Sequence, residues 1–595
     1  MHRSSSSDVA SLPLRLWPGV AALILQWFAR FALPLVWPDG AAVGVLTALA
    51  CSLIILLWWV FLSRAPRIER WGGAALIVLV LAATPVLLHP SIATGMMGMM
   101  FLIYALPTVC LALVAWAVVA DRLPQTPRRA LFAVLIMLGA GGWAVTRTDG
   151  ITGDARSSFA WRWSPTAEER LLAGDAEMPA DAAAIDPSAL AGSWPGFRGV
   201  DRSGVVPDLR IATDWARTPP TELWRQPVGP GWSSFAVRGG RAFTQEQRGD
   251  DELVTCYDAA TGAVIWRFRD PTRFWESNAG AGPRATPTLH GDRVLAFGAT
   301  GRLHAIDIDT GAALWSRDVA ADAEVEVPTW GFASSPLVVG DAVVVHAGTL
   351  VAYDLGTGVP RWASDDAAIG RGYASPHRLV IDGVEQIVLL SFDGVTSVSP
   401  PDGRQLWHHA WSGVRIVQPV VIGDGELLIG TQQEGTRRLT VARDDAGDWQ
   451  VEAAWTSNRL KPYFNDFVVH NGHAYGFDGR ILACIDVADG ARCWKGGRYG
   501  HGQLMLLADQ GLLLVTTEKG ELALVDASPE GFVERARMPA IAGKTWNQPA
   551  LAGDVLLVRN AEEMAAFRLP AGDGDASIAR DESMASTEPS DAAAR

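Results

Sequence analysis

One pattern recurs along the C-terminal two-thirds of the chain and limits what it can fold into: a small residue, Asp, then Thr-Gly or Asp-Gly, three residues and Trp. It runs from Cys256 through Asp258, Thr261 and Gly262 to Trp266, and from Ala305 through Asp307, Thr310 and Gly311 to Trp315. Further copies join Ala352, Asp354, Thr357, Gly358 and Trp362; Ser397, Asp402, Gly403 and Trp407; and Cys484, Asp486, Asp489, Gly490 and Trp494. A looser copy ends at Trp455, and one without Trp passes Leu524 and Asp526. Each copy has the composition of a hairpin: Asp closes the turn with its side chain, Gly accepts a positive φ, and the flanks are strand formers. A return every ~40–50 residues fits four strands and their turns, one blade of a propeller.

Upstream of several copies lies a second hairpin signal, a Gly-Asp pair between apolar runs: Gly291-Asp292 after Thr286-Pro287, Gly340-Asp341 after Ser335-Pro336, and Gly553-Asp554 after Gln548-Pro549. Inner strands therefore start near Phe235, Thr286, Ser335, Ser375, Gln418, Asp466, Gln503 and Gln548. That predicts an all-β, eight-bladed β-propeller, or seven blades if one degenerate copy is not a blade. The last blade stops at Met564–Leu569, while Thr221–Val228 carries Trp224 with no strands before it. This front segment is expected to complete the last blade and remove the open sheet edges.

Residues 12–146 differ in kind. Five apolar segments, about Leu16–Trp37, Ala42–Ser63, Gly72–Leu88, Gly95–Ala120 and Arg129–Val145, have lengths near the ~17–25 residues that cross a bilayer as a helix. The third is the shortest and holds Pro85. Arg3 and Arg15, then Arg64, Arg67 and Arg70, then Arg122, Arg128 and Arg129 mark alternate ends as cytoplasmic, whereas Pro38-Asp39-Gly40 and His89-Pro90-Ser91 have no base. The N-terminus is thus expected in the cytoplasm and the propeller outside, in the periplasm of a bacterium, on a multi-pass inner-membrane domain surrounded by lipid. Arg30 is expected to snorkel to the interface.

The expected organisation is a transmembrane helical domain at 1–146, a linker with a short helix at 147–193, the propeller at 194–570 and a disordered acidic tail at 571–595. Ser164, Pro165, Glu168 and Glu169 supply the start of that short helix. Cys256 and Cys484 fill the small-residue slot of the repeat and read as packing residues; a cross-strand disulfide between Cys484 and Cys493 is the alternative for the second. A net charge of −14 disfavours a nucleic-acid partner.

The blade motif resembles that of the pyrroloquinoline-quinone (PQQ) repeat propellers, and Trp194-Pro-Gly-Phe-Arg198-Gly-Val-Asp201-Arg-Ser-Gly204 resembles the lead-in segment of BamB-like members. The resemblance covers about residues 194–570 and implies that the tryptophans dock neighbouring blades. It implies one of two functions: a binding or scaffold module for envelope proteins, or a quinoprotein dehydrogenase that oxidises an alcohol or aldose with PQQ and calcium. Five crossings before a PQQ-repeat domain resemble the layout of membrane glucose dehydrogenases. Against that, the dehydrogenases carry adjacent cysteines over the quinone and long insertions between strands, neither of which this chain has.

Under either reading the candidate ring lies on the loops that lead into the inner strands: Trp232, Ser234, Glu276, Asn278, Arg284, Trp330, Arg371, Tyr373, Arg415, Asn465, Asp466, His501, Trp546 and Asn547. A quinone needs an aromatic platform (Trp232, Trp330 or Trp546), cations for its carboxylates (Arg284, Arg371 or Arg415) and oxygen ligands for calcium (Glu276, Asn278 or Asp466). No position stands out as catalytic.

Overall fold

The computed structural model describes residues 14–37, 40–153, 156–174, 192–364, 369–413 and 416–572. Two units divide the chain, Met1–Thr166 with Glu276–Gly280, and Ala167–Trp275 with Ala281–Arg595.

In the first unit, Trp17–Val36, Ala41–Leu62, Arg67–Leu87, Met100–Ala120 and Gln125–Val145 are helices long and apolar enough to cross a membrane. The third is longer than its apolar stretch because it starts at Arg67 and continues past Pro85 as a 3-10 turn, Thr84–Leu87. Met100–Ala120 is the hub, and its Trp116 meets Trp59 edge-on at 5.3 Å and Phe132 at 4.8 Å. Arg30 sits 4.4 Å from the centre of the Tyr104 ring, a cation–π contact. After the fifth helix the chain forms a hairpin, Thr146–Ile151 paired with Ser157–Trp161, where the sequence suggested only a connector.

The second unit opens with the expected short helix, Ala167–Gly174. Of the linker that follows it, residues 175–191 lie outside the described residues, as does the acidic tail from 573 onward. From Ala236 onward, eight sheets follow one another among the described residues, each with four antiparallel strands and one with a short fifth strand added in parallel. Their innermost strands are Ala236–Arg238, Thr288–His290, Leu337–Val339, His377–Ile381, Val420–Gly423, Val468–His470, Gln503–Leu507 and Ala550–Ala552. Blade 8 takes its outer strand from Thr221–Pro227, which pairs with Glu563–Arg568 so that Trp224 faces Ala566. The ring therefore closes with the first long strand of the unit against the last.

Tryptophan and glycine form a relay between blades. The Trp266 indole donates to the Ile308 carbonyl at 3.1 Å, Trp315 to Leu355 at 3.1 Å, Trp362 to Pro400 at 3.0 Å and Trp455 to Val487 at 3.1 Å. Each acceptor belongs to the turn of the next blade. The glycine of that turn lies under the ring: a Cβ on Gly311 would come within 2.7 Å of Trp266, and one on Gly358 within 2.6 Å of Trp315. Glycine is required there twice over, since Gly311 and Gly358 also hold φ of 74° and 71°. The preceding Asp shapes the turn; Asp354 accepts the Thr357 amide and hydroxyl, both at 2.8 Å. At blade 5 the hairpin is longer, Gly435–Arg443 with Trp449–Ser457, and Trp407 turns to Gln386 of its own blade at 2.7 Å.

Cys256 and Cys484 are buried as packing residues, and Cys493 is exposed at the bulge beside Cys484; all three thiols are free.

Candidate functional site

The residues that begin the inner strands form a hydrogen-bonded belt around the ring axis. The Ser234 amide donates to Thr286 Oγ1 at 3.0 Å, Thr286 to Ser335 Oγ at 3.0 Å, and Ser335 to Ser375 Oγ at 2.9 Å. Ser375 continues to Gln418 Oε1 at 3.2 Å, and Gln418 to Asp466 Oδ1 at 2.7 Å. Gln503 Nε2 reaches back to the Phe464 carbonyl at 3.3 Å, Gln548 Nε2 donates to Gln503 Oε1 at 2.5 Å, and Ser234 Oγ donates to the Gln548 carbonyl at 2.6 Å. Every blade contributes a link. The belt satisfies buried backbone donors that lie beyond the last ladder bond of each inner strand.

Within the belt lies the lead-in segment. Trp194 bridges to Val237 of blade 1, the Leu289 amide of blade 2 donates to the Pro195 carbonyl at 2.7 Å, and Val205–Val206 adds parallel to Leu506–Leu507 of blade 7. Two buried arginines project from it. Arg202 Nη1 donates to the carbonyls of Ser335 and Pro376 at 3.1 and 3.0 Å, and its Nη2 to Pro336. Arg198 pairs with Asp466 at 3.1 Å and donates to the Phe467 carbonyl at 3.1 Å. Burial lowers both guanidinium pKa values to about 9, which leaves them charged at neutral pH. The buried His377 imidazole is held well below its ordinary value by burial and by the charges of Arg202 and Arg198. The segment occupies the centre of the ring as a plug bonded to blades 1, 2, 3, 4, 6 and 7.

On the face from which the inner strands start, aromatic side chains gather in two groups. Trp232 and Trp546 lie 4.9 Å apart with Lys544 Nζ at 5.0 and 4.3 Å from their centres, and Phe464 packs 5.0 Å from Trp546 and 5.6 Å from His501. Trp546 Nε1 donates to Glu518 at 2.9 Å. In the second group Trp330 lies 5.1 Å from Tyr373, which lies 5.9 Å from Phe392. Arg284 donates to the Trp330 carbonyl at 3.2 Å and stands over Phe274 at 5.1 Å.

The fourteen sequence candidates thus separate. Trp232, Trp546, His501, Trp330, Tyr373, Arg284 and the exposed Arg371 come to this face. Ser234 and Asp466 are belt members. Asn465 donates to the Gly502 carbonyl, and Asn547 to those of Gly231 and Ser233 at 3.3 and 2.7 Å, so both pin neighbouring loops. Glu276 and Asn278 fall in the segment grouped with the N-terminal unit, where Asn278 Oδ1 accepts the Met96 amide at 3.2 Å and Glu276 accepts the Asn278 amide at 2.7 Å. Arg415 lies outside the described residues. Sequence reasoning missed Lys544, Glu518, Phe464, Arg198 and Arg202 as determinants of the site, although Lys544 and Phe464 stood beside candidates.

These residues do not fit a calcium–quinone pair. Of the three oxygen ligands considered, Asp466 is engaged by Arg198 and the Gln418 amide, while Glu276 and Asn278 are bonded within the other unit. Among the described residues no group of three or more His, Cys, Asp or Glu side chains converges on a metal position.

Residues 250–496 match the family model described as outer membrane protein assembly factor BamB. The chain is 26% identical over 367 residues to outer membrane protein assembly factor BamB of Yersinia pestis, covering 57% of this chain and 86% of that one. With the same factor of Shewanella oneidensis it shares 31% identity over 160 residues, 24% of this chain and 37% of that one. Among solved structures, BamB of Moraxella catarrhalis superposes with a TM-score of 0.44 at 14% identity, over 59% of this chain and all of that one. A europium-containing methanol dehydrogenase superposes with 0.49 at 11% identity, over 64% and 98%.

Proposed function

We propose that this BamB-like PQQ-repeat propeller is a binding module for a protein of the bacterial envelope, tethered to the inner membrane by its five helices and held on the periplasmic side. The observation that carries the reading is the plug: Arg198 and Arg202 fill the ring centre and bond it to the blades, so the middle of the ring is taken by the chain's own segment. Recognition is left to the rim, where Trp232, Trp546, Trp330 and Tyr373 offer rigid aromatic area next to Lys544 and Arg371. Aromatic and basic groups of this kind dominate the energetics of protein interfaces. The basic loops of the helical domain support the orientation, and the similarity to BamB supports a protein partner.

The test is a crosslinking pull-down from envelope membranes with the full chain and with the double variant Trp330→Ala and Lys544→Ala. A partner captured by the first and lost by the second, with unchanged thermal unfolding, supports the proposal. In parallel, the full chain is titrated with PQQ and calcium and given alcohols or aldoses with a redox dye. Saturable binding with dye reduction would replace the proposal with the dehydrogenase reading.

A further inference from the structure

The hairpin Thr146–Trp161 is tied to the ends of three helices of its unit. It grows out of the fifth, where the Arg162 amide donates to the Val145 carbonyl at 2.9 Å. The Arg162 side chain donates to the Leu87 carbonyl at the end of the third, and Arg156 to the Pro34 carbonyl near the end of the first, each at 3.3 Å. Guanidinium groups at helix C-termini complement both the orphan carbonyls and the negative end of the dipole. Phe159 adds a packed contact, edge-on to Tyr104 at 4.9 Å and 5.2 Å from Trp143. The hairpin is therefore fixed at the level where the first, third and fifth helices end.

At that level two large side chains have no place in the core. Trp161 and Trp163 are 54% and 70% exposed, and their indoles stack at 5.4 Å with an interplanar angle of 3°. Trp37, just past the end of the first helix, is 50% exposed as well. Indole suits the boundary between acyl chain and headgroup, where its ring is sheltered and its N–H still finds an acceptor. Arg162, exposed between the two tryptophans, adds a cation beside them.

We infer that this hairpin is an interfacial anchor, with Trp161 and Trp163 seated in the lipid headgroup layer on the side where the odd-numbered helices end. The occupant of the exposed indole face is lipid, because the hairpin is bonded to the helix ends at Pro34 and Leu87, where Leu35, Val36, Val86 and Leu87 are themselves exposed apolar side chains. The inference rests on reading the five helices as membrane spans, and its test separates the two.

The full chain, carrying Cys493→Ser to remove the exposed thiol, is placed in lipid nanodiscs. A fluorescent label is attached in separate proteins at Trp161→Cys, at Trp163→Cys, at Leu79→Cys on the exposed side of the third helix, and at Val533→Cys on the propeller. All four replace exposed side chains. Quenching by a nitroxide lipid labelled near the headgroup is compared with quenching by aqueous iodide. Labels at 161 and 163 are expected to be quenched severalfold more by the lipid nitroxide than the label at 533, and severalfold less by iodide. Iodide quenching equal to that at 533, with the label at 79 still shielded, overturns the anchor alone. Iodide quenching at 79 overturns the membrane reading and the anchor with it.

Discussion

The indole of Trp224 rests on Gly262: a Cβ there would come within 2.8 Å of the ring, and the indole N–H donates to the Ala259 carbonyl at 2.9 Å. This is the Trp–Gly relay from blade 8 to blade 1, made by the strand that blade 8 takes from the front of the unit. Trp224→Ala is expected to cost about 3–5 kcal/mol, the usual loss for a buried large aromatic. It should also broaden the unfolding transition, because blades 8 and 1 lose their dock. Denaturant unfolding of the full chain, followed by circular dichroism, measures both.

The relay also ranks the glycines. Gly447 lies in the blade 5 hairpin at a φ of 90° with nothing within 4 Å of a Cβ, so Gly447→Ala should cost only the left-handed backbone term, about 1–2 kcal/mol. Gly358→Ala meets the same term and the Trp315 ring as well, and should be clearly the worse of the two. Paired urea midpoints decide it; equal losses would show that the ring contact is irrelevant.

Two buried glutamates of blade 1 give opposite pH dependences. Burial pushes the Glu252 carboxyl up to about 8 from an ordinary 4.5, with Asp270 adding to it. Between about pH 4.5 and 8 the folded chain keeps a proton that the unfolded chain has lost, so this group's contribution to stability falls as pH rises, and Glu252→Gln should flatten that slope. For Glu246, burial would raise the value, but Arg248, Thr255, the Gly229 amide and Arg559 outweigh it and hold the carboxyl at about 2. Its contribution is complete above about pH 4.5 and is lost as pH falls towards 2. Glu246→Gln should cost about 3–5 kcal/mol at neutral pH, since buried arginines lose their counter-charge. Thermal unfolding across the pH range reads both slopes.

Arg202→Met should leave the carbonyls of Ser335 and Pro376 without this donor, at about 1–3 kcal/mol for each that stays dry, while the Pro336 carbonyl keeps the Thr288 hydroxyl. Arg202→Lys should recover only part of this, because one ammonium cannot reproduce the planar fork. Limited proteolysis between Trp194 and Val206 reports release of the plug directly: the Met variant should be cut where the wild type resists.

Much of the propeller was legible because its signals are local. Asp354, Thr357, Gly358 and Trp362 describe a turn and an outer strand within a few residues, and Trp224, a strand with no blade of its own, pointed to the closure. The candidate site was legible only in part, because side-chain direction on the loops is a tertiary matter. Ser234 and Asp466 stand beside Trp232 and Phe464 in sequence, yet their side chains turn inward to bond the preceding blade while the aromatic residues turn out. Arg202 finds all three of its acceptors more than a hundred residues away, and Arg198, which reaches the Ser203 carbonyl nearby, has its charge partner Asp466 and the Phe467 carbonyl equally far off. The available hint was their setting: both take positive φ among glycines, and a Cβ on Gly204 would strike the Arg198 guanidinium. The hairpin after the fifth helix escaped notice because its strands carry no alternation of apolar and polar residues.

The pairing of Thr221–Pro227 with Glu563–Arg568 sets the order in which the ring can assemble. Arg225 and Glu563, which pair across that seam, are 338 residues apart in the chain, so closure is among the most non-local events in the molecule and among the slowest. While the chain is being made, each blade can gather its own four strands soon after they emerge. The strand around Trp224, however, has no partner until nearly the whole propeller exists. A ribosome that stops anywhere before Glu563 therefore leaves behind an open ring, and the first strand of the propeller stays an exposed edge.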